Sequence, residues 1–96
     1  MSPVKKRKLI KLRKQLDALD DVFIKLIKKR TTIVDQVLML KEFKKQIVDR
    51  KRIKIILNKI KRKSIQQNID QKITRRIWKN MIWSYINYER RNFKKK

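Results

Sequence analysis

Arg30 stands where a packing residue belongs. At three-four spacing the first stretch of the chain reads Leu9, Leu12, Leu16, Leu19, Phe23, Leu26, Arg30, Ile33, Val37 and Leu40, nine apolar residues and one guanidinium. Such a stripe is the packing face of a long amphipathic helix. An unpaired charge buried there costs several kcal/mol or more, so Arg30 is expected to have a fixed anionic partner, either Asp20 or Glu89 from another helix, or a ligand that supplies the charge. Lys41 follows eleven residues later on nearly the same face, about 16 Å along a helix axis. Two long cationic side chains leaning toward one another can hold a small dianion. Glu89 is the matching anomaly of opposite sign: steps of four along Ile73, Ile77, Met81 and Tyr85 arrive at this carboxylate.

Arg13 flanks the same seam but lies about 25 Å from Arg30 along a straight helix. One small ligand cannot touch both within one chain. In an antiparallel dimer Arg13 of one chain reaches the Arg30 region of the other, giving two equivalent pockets completed in trans.

The elements that must position these groups are helical. Ser2-Pro3 is a helix start, and the periodicity then runs to about Lys41, a rod of roughly 50 Å. A chain this short cannot cover both ends of such a rod, which points to an obligate homodimer. Glu42 to Val48 breaks the period and reads as a loop. Asp49 is an N-cap for a second helix with Ile53, Ile56, Leu57 and Ile60 on its apolar side. Ser64 to Ile69 is a second polar break, with Asn68 suited to the left-handed conformation. Asp70 caps a third helix carrying Ile73, Ile77, Trp78, Met81, Ile82 and Tyr85. The expectation is an all-α fold of one long, one short and one medium helix intertwined as a homodimer. Residues 1–96 form one domain, with 1–8 a basic N-terminal extension.

Composition narrows the chemistry. The 96 residues contain no Cys, His or Gly. Disulfide and thiol chemistry, the usual general base and a glycine-rich phosphate loop are all excluded. Six Asp and two Glu are scattered, so no metal or other cofactor is expected. No apolar run has the length of a membrane span, and a cytoplasmic protein is expected. Thirty-one basic residues against eight acidic give a formal charge of +23. Either Lys-rich composition on solvated faces or weak non-specific polyanion binding accounts for it.

Leu12-Arg13-Lys14-Gln15-Leu16-Asp17-Ala18-Leu19-Asp20, then Leu26-Ile27-Lys28-Lys29-Arg30 and Lys41, resembles the all-helical class of chorismate mutases. The resemblance continues through Ile47-Val48-Asp49-Arg50-Lys51-Arg52 and Ile77-Trp78-Lys79-Asn80-Met81-Ile82 and closes at Glu89. It implies an intertwined helical dimer that converts chorismate to prephenate by an intramolecular Claisen rearrangement. A pericyclic reaction needs neither nucleophile nor proton shuttle, only a compact conformer and donors aimed at the breaking ether oxygen. By resemblance, Arg30 and the partner chain's Arg13 clamp the two carboxylates, Lys41 donates to the ether oxygen, and Glu89 faces that oxygen. Asp49 and Arg52 fall near the ring hydroxyl and the cation cluster, and Tyr85 and Ile53 line the pocket. Donation by Glu89 requires its protonated form, which burial favours and the cations oppose. Turnover is therefore expected to fall with rising pH, and Glu89→Gln to flatten the profile.

Two readings stand beside this one. Many mutases carry Glu after the helix-two Arg, where this chain has Ile53. Helical lyases that cleave isochorismate to salicylate and pyruvate are apolar there, and Trp83-Ser84-Tyr85-Ile86 partly resembles their third helix. A basic helical nucleic-acid-binding protein is the alternative from another class, with Trp78, Trp83, Tyr85 and Tyr88 as stacking groups.

Overall fold

The first helix, α1, begins where Pro3 sets its φ for a first helical turn and the Ser2 hydroxyl accepts from the Lys5 backbone N–H at 3.2 Å. The computed structural model describes residues 1–94; the last two residues of the expected 1–96 domain lie outside the described residues. α1 spans Pro3–Leu40, α2 Arg50–Gln66 and α3 Gln71–Asn92, with a single 3-10 turn at Lys44–Gln46. The described residues contain no strand, as the three periodic stretches require.

The helix ends follow local chemistry. Asp49 accepts the Arg52 N–H at 3.0 Å and caps α2; Asp70 accepts the Lys72 N–H at 2.9 Å and caps α3. α2 stops at a left-handed residue, Asn68, whose φ is 54°. The Ile69 N–H returns to the Ser64 carbonyl at 2.8 Å and the Asn68 N–H to that of Ile65 at 3.2 Å. This paired bond pattern closes a helix C-terminus on a residue with positive φ.

The chain divides into two compact units, Met1–Ile33 and Val34–Lys96. The first is a single amphipathic helix. One helix cannot bury its own stripe, and Leu12, Leu16, Leu19, Phe23 and Leu26 are each at least half exposed. In the single chain Arg30 is exposed, and no ion pair to Asp20 or Glu89 holds it among the described residues.

The second unit has a core. Leu38, Ile47 and Ile86 are buried together, with Val48, Ile53, Ile82 and Phe93 packed against them. α2 lies on α3. Two expected breaks prove more structured than their polarity suggested, and the second is also shorter. Within 42–48, Ile47 is 3% exposed and belongs to the core. The Gln46 side chain accepts the N–H groups of Glu42 and Phe43 at 2.7 and 2.9 Å, folding the loop so that Ile47 turns inward. Val48 and Ile53 hold the positions of a hydrophobic staple around the Asp49 cap. Within 64–69, Ser64 is still helical and buried. Its hydroxyl donates to the Ile60 carbonyl and meets that of Thr74 on α3, each at 2.7 Å. A small hydroxyl satisfied on both sides packs where the polar pattern suggested a loop.

Ile47→Ala is expected to cost about 2–4 kcal/mol, whereas Ile55→Ala, at an exposed site, should stay within about 0.5 kcal/mol. Urea unfolding at one fixed protein concentration checks both. Equal effects would mean that the 41–49 connection is not part of the core.

Candidate active site

Lys41 leaves α1 just past its last turn, its N–H returning to the Leu38 carbonyl at 3.1 Å. This turn sends the side chain toward α3. There Lys41 Nζ donates to Glu89 Oε1 at 3.0 Å. The carboxylate side chain is 8% exposed and the lysine side chain 18%. Glu89 sits on α3 one turn from Ile86, a core residue. The pair is thus seated on the Leu38–Ile47–Ile86 cluster rather than on a solvated face. A buried carboxylate carries a large desolvation cost, which a hydrogen-bonded cation offsets. The geometry is that of a charge-assisted hydrogen bond.

Lys41 also lines an open cleft of about 670 Å³ with Gln46, Asp49, Trp83 and Arg90 among its walls. An ammonium has three N–H donors. One is engaged by Glu89, and the others remain for a ligand in the cleft. Glu89 therefore fixes the direction from which Lys41 donates.

The expected site residues divide into two sets. Lys41 and Glu89 are in contact, and Asp49 shares the cleft with Lys41. Glu89 gives its oxygen to Lys41, not to Arg30. Arg52 is exposed and gives its backbone N–H to Asp49. Ile53 is half-buried and packs on the core cluster. Tyr85 is half-buried and meets Tyr88 edge to face, ring centroids 6.3 Å apart. Arg13 and Arg30 are exposed on α1, in the N-terminal unit. Among the described residues no cluster of acids could hold a metal ion.

The site residues expected from the sequence left out Gln46, Val48, Arg50, Lys51, Trp83 and Arg90 of the cleft wall, Trp83 entering only through the lyase resemblance and as a stacking group. Trp83 and Arg90 are seven residues apart on α3, one shared face, but they lie off the apolar stripe that drew attention to Glu89. Gln46 had no sequence signal, because its role depends on the loop it folds.

A neighbouring contact holds the end of α3. The Tyr88 hydroxyl donates to Asp35 Oδ1 at 2.7 Å. This bond to a carboxylate, then partial burial, raises the Tyr88 pKa above the ordinary 10.0, because ionisation would place two anions together.

A profile of the chorismate mutase type II family matches residues 12–90. The chain belongs to that family. Its activity is that of an isomerase, the conversion of chorismate to prephenate, and its all-helical fold is the one the family carries. The match encloses Arg13, Arg30, Lys41 and Glu89. No curated protein and no solved structure matches the chain. No helix among the described residues is long and apolar enough to cross a membrane.

Lys41→Met is expected to destabilise by about 2 kcal/mol or more, because Glu89 is left buried without its donor. Adding Glu89→Gln should recover part of that loss, with a coupling of about 1–2 kcal/mol in a double-mutant cycle. Independent effects would show that the pair does not act as a unit. Tyr88 gives a pH test. A group whose folded pKa is raised stabilises the fold fully below its unfolded value, and that contribution is lost as pH rises through the folded value. The urea midpoint should therefore fall more steeply above pH ~10 in the parent than in Tyr88→Phe. Parallel alkaline curves would remove the Asp35 bond from the account.

Proposed function

We propose that Lys41 and Glu89 form the centre at which chorismate is rearranged, with Arg30 and the Arg13 of a second chain completing it. The observation that carries this reading is the 3.0 Å pair itself, an oriented ammonium bordering a cleft. In the rearrangement the ether C–O bond breaks as a C–C bond forms, and negative charge grows on the departing oxygen. A fixed N–H donor lowers that barrier more than the ground state, because the charge is largest at the transition state. Lys41 supplies this donor. Glu89 orients Lys41 when ionised and adds its own O–H to the ether oxygen when protonated. Arg30 and the second chain's Arg13 hold the two carboxylates bidentately, which keeps the substrate in its compact conformer. Asp49 and Arg52 flank the ring hydroxyl, and Tyr85 and Ile53 contribute apolar lining.

The homodimer is part of the proposal. The uncovered seam from Leu12 to Leu26, with Ile33 and Val37 beyond it, is more contiguous apolar surface than a lone helix carries stably in water. A second copy of the same stripe is the simplest cover of matching length. The +23 charge draws a dianionic substrate toward such a pocket. We place the reaction in aromatic amino-acid biosynthesis, in the cytoplasm.

Loss of the chorismate diene absorbance tests the activity, with isochorismate run in parallel because of Ile53. Arg30→Ala should abolish turnover. Activity on isochorismate alone would overturn the choice of substrate. Mixing inactive Arg13→Ala and Arg30→Ala chains tests the trans arrangement. Half the dimers are then mixed and each has one intact site, so about a quarter of parent activity should return. No recovery after refolding the chains together would exclude completion in trans. Glu89→Gln, which still presents an N–H donor, should retain turnover that Glu89→Ala loses; equal loss in both variants would remove Glu89 from the ether oxygen.

A further inference from the structure

The catalytic reading uses few of the cations and leaves their arrangement on α2 and α3 unexplained. Residues 50–92 carry fourteen Lys or Arg against two acids, Asp70 and Glu89. Asp70 caps α3 and Glu89 is engaged by Lys41. On α3 four of the six cations share one arc, with Arg75 and Arg91 off it. At 3.6 residues per turn, Lys72, Arg76, Lys79, Trp83 and Arg90 fall within an arc of about 60°. The row runs about 27 Å along the helix. All five residues are exposed, Trp83 at 42%. None of the four cations has an acidic partner among the described residues.

At its C-terminal end the row enters the cleft. Trp83 and Arg90 form one part of the wall there, and Arg50 and Lys51 from the first turn of α2 form another. Both of these are exposed. An indole in the middle of a cationic row, with more cations around the same cleft, exceeds what solubility requires. Solvation calls for charge but not for one narrow arc, and it disfavours an exposed indole. Four like charges without counter-charges also repel one another, a cost that an extended polyanion reverses.

We propose that the α3 row and the first turn of α2 bind single-stranded nucleic acid. The phosphates track Lys72, Arg76, Lys79 and Arg90, and one base stacks on Trp83 in the cleft, with Arg50 and Lys51 on the adjoining phosphates. The row accommodates a strand of about four nucleotides or more. A single strand fits better than a duplex because stacking on the indole needs an exposed base face. It fits better than a lipid surface because the aromatic residue of this row lies in a cleft between cations, not on an apolar face that could enter a bilayer. The cleft end of this surface is shared with Lys41, whereas Lys72, Arg76 and Lys79 lie outside the catalytic proposal.

The test is fluorescence anisotropy of a labelled twelve-nucleotide oligouridylate with the full chain, at several salt concentrations. A duplex of equal length and phosphatidylserine-containing vesicles serve as competitors. Replacing Lys72, Arg76 and Lys79 together by Gln should reduce the slope of log affinity against log salt by about 2. Circular dichroism and chorismate turnover should stay at parent values in that variant. Trp83→Ala should weaken binding about tenfold, and Trp83→Phe should restore most of it. A control triple, Lys5, Lys6 and Lys8 to Gln, should have clearly less effect than the row triple. The proposal is overturned if the control weakens binding as much as the row variant, since general charge would then suffice. It is also overturned if Trp83→Ala leaves affinity unchanged, or if vesicles or duplex compete more strongly than unlabelled single strand. The tryptophan arm stands by itself should the triple variant fold poorly.

Discussion

Glu89 remains buried because Lys41 reaches it, and much of the second unit is arranged around that reach. A carboxylate 8% exposed and seated beside Ile86 would be severely destabilising alone. Its partner has to come from outside α3, since the residues one turn away on its own stripe are apolar or aromatic. Ending α1 at Leu40 releases Lys41 in the required direction. Returning the chain through the Gln46-folded loop places Ile47 in the core with Leu38 and Ile86 and Asp49 at the head of α2. The result is a lysine with one donor fixed and the others turned to a cleft, which is what stabilising a developing oxyanion requires.

The core that supports this arrangement is small. Three apolar residues are buried and four more lean on them. A core of that size contributes little beyond local order. Caps and hydroxyl contacts contribute much of the remaining definition: Asp49 and Asp70 at helix starts, the Ser64–Thr74 contact between α2 and α3, and Tyr88 on Asp35. The long apolar stripe of α1 contributes nothing in a lone chain. In the proposed dimer it becomes the main source of stability, so folding, assembly and completion of the pocket by Arg13 would be one event.

Several features were legible from residue types because their causes are local. Ser2-Pro3, Asp49, Asn68 and Asp70 mark helix ends through bonds to residues two to five positions away. Glu89 announced itself as a charge at the end of an apolar row. Other features depend on distant partners. Ile47 looked like loop because one isoleucine among lysines has no period of its own, and it becomes core only when Ile86 and Leu38 arrive. Ser64 looked like a break because serine usually caps or turns, yet the Thr74 hydroxyl makes it a buried contact. Trp83 and Arg90 share a face that carries no apolar periodicity, so hydrophobic pattern could not single them out.

By itself, then, the sequence determined the number and starts of the helices, the absence of thiol and imidazole chemistry, and the family. Those follow from short-range bonds, composition and ordered motif spacing. Which cation Glu89 takes, which side of Lys41 faces a cleft, and where the indole of Trp83 stands were decided by tertiary structure. The alternatives, Arg30 or Lys41 for the same carboxylate, are equivalent in charge and period. They differ in where α1 ends and how the 41–49 connection turns, and that geometry is set by packing on the Leu38–Ile47–Ile86 cluster.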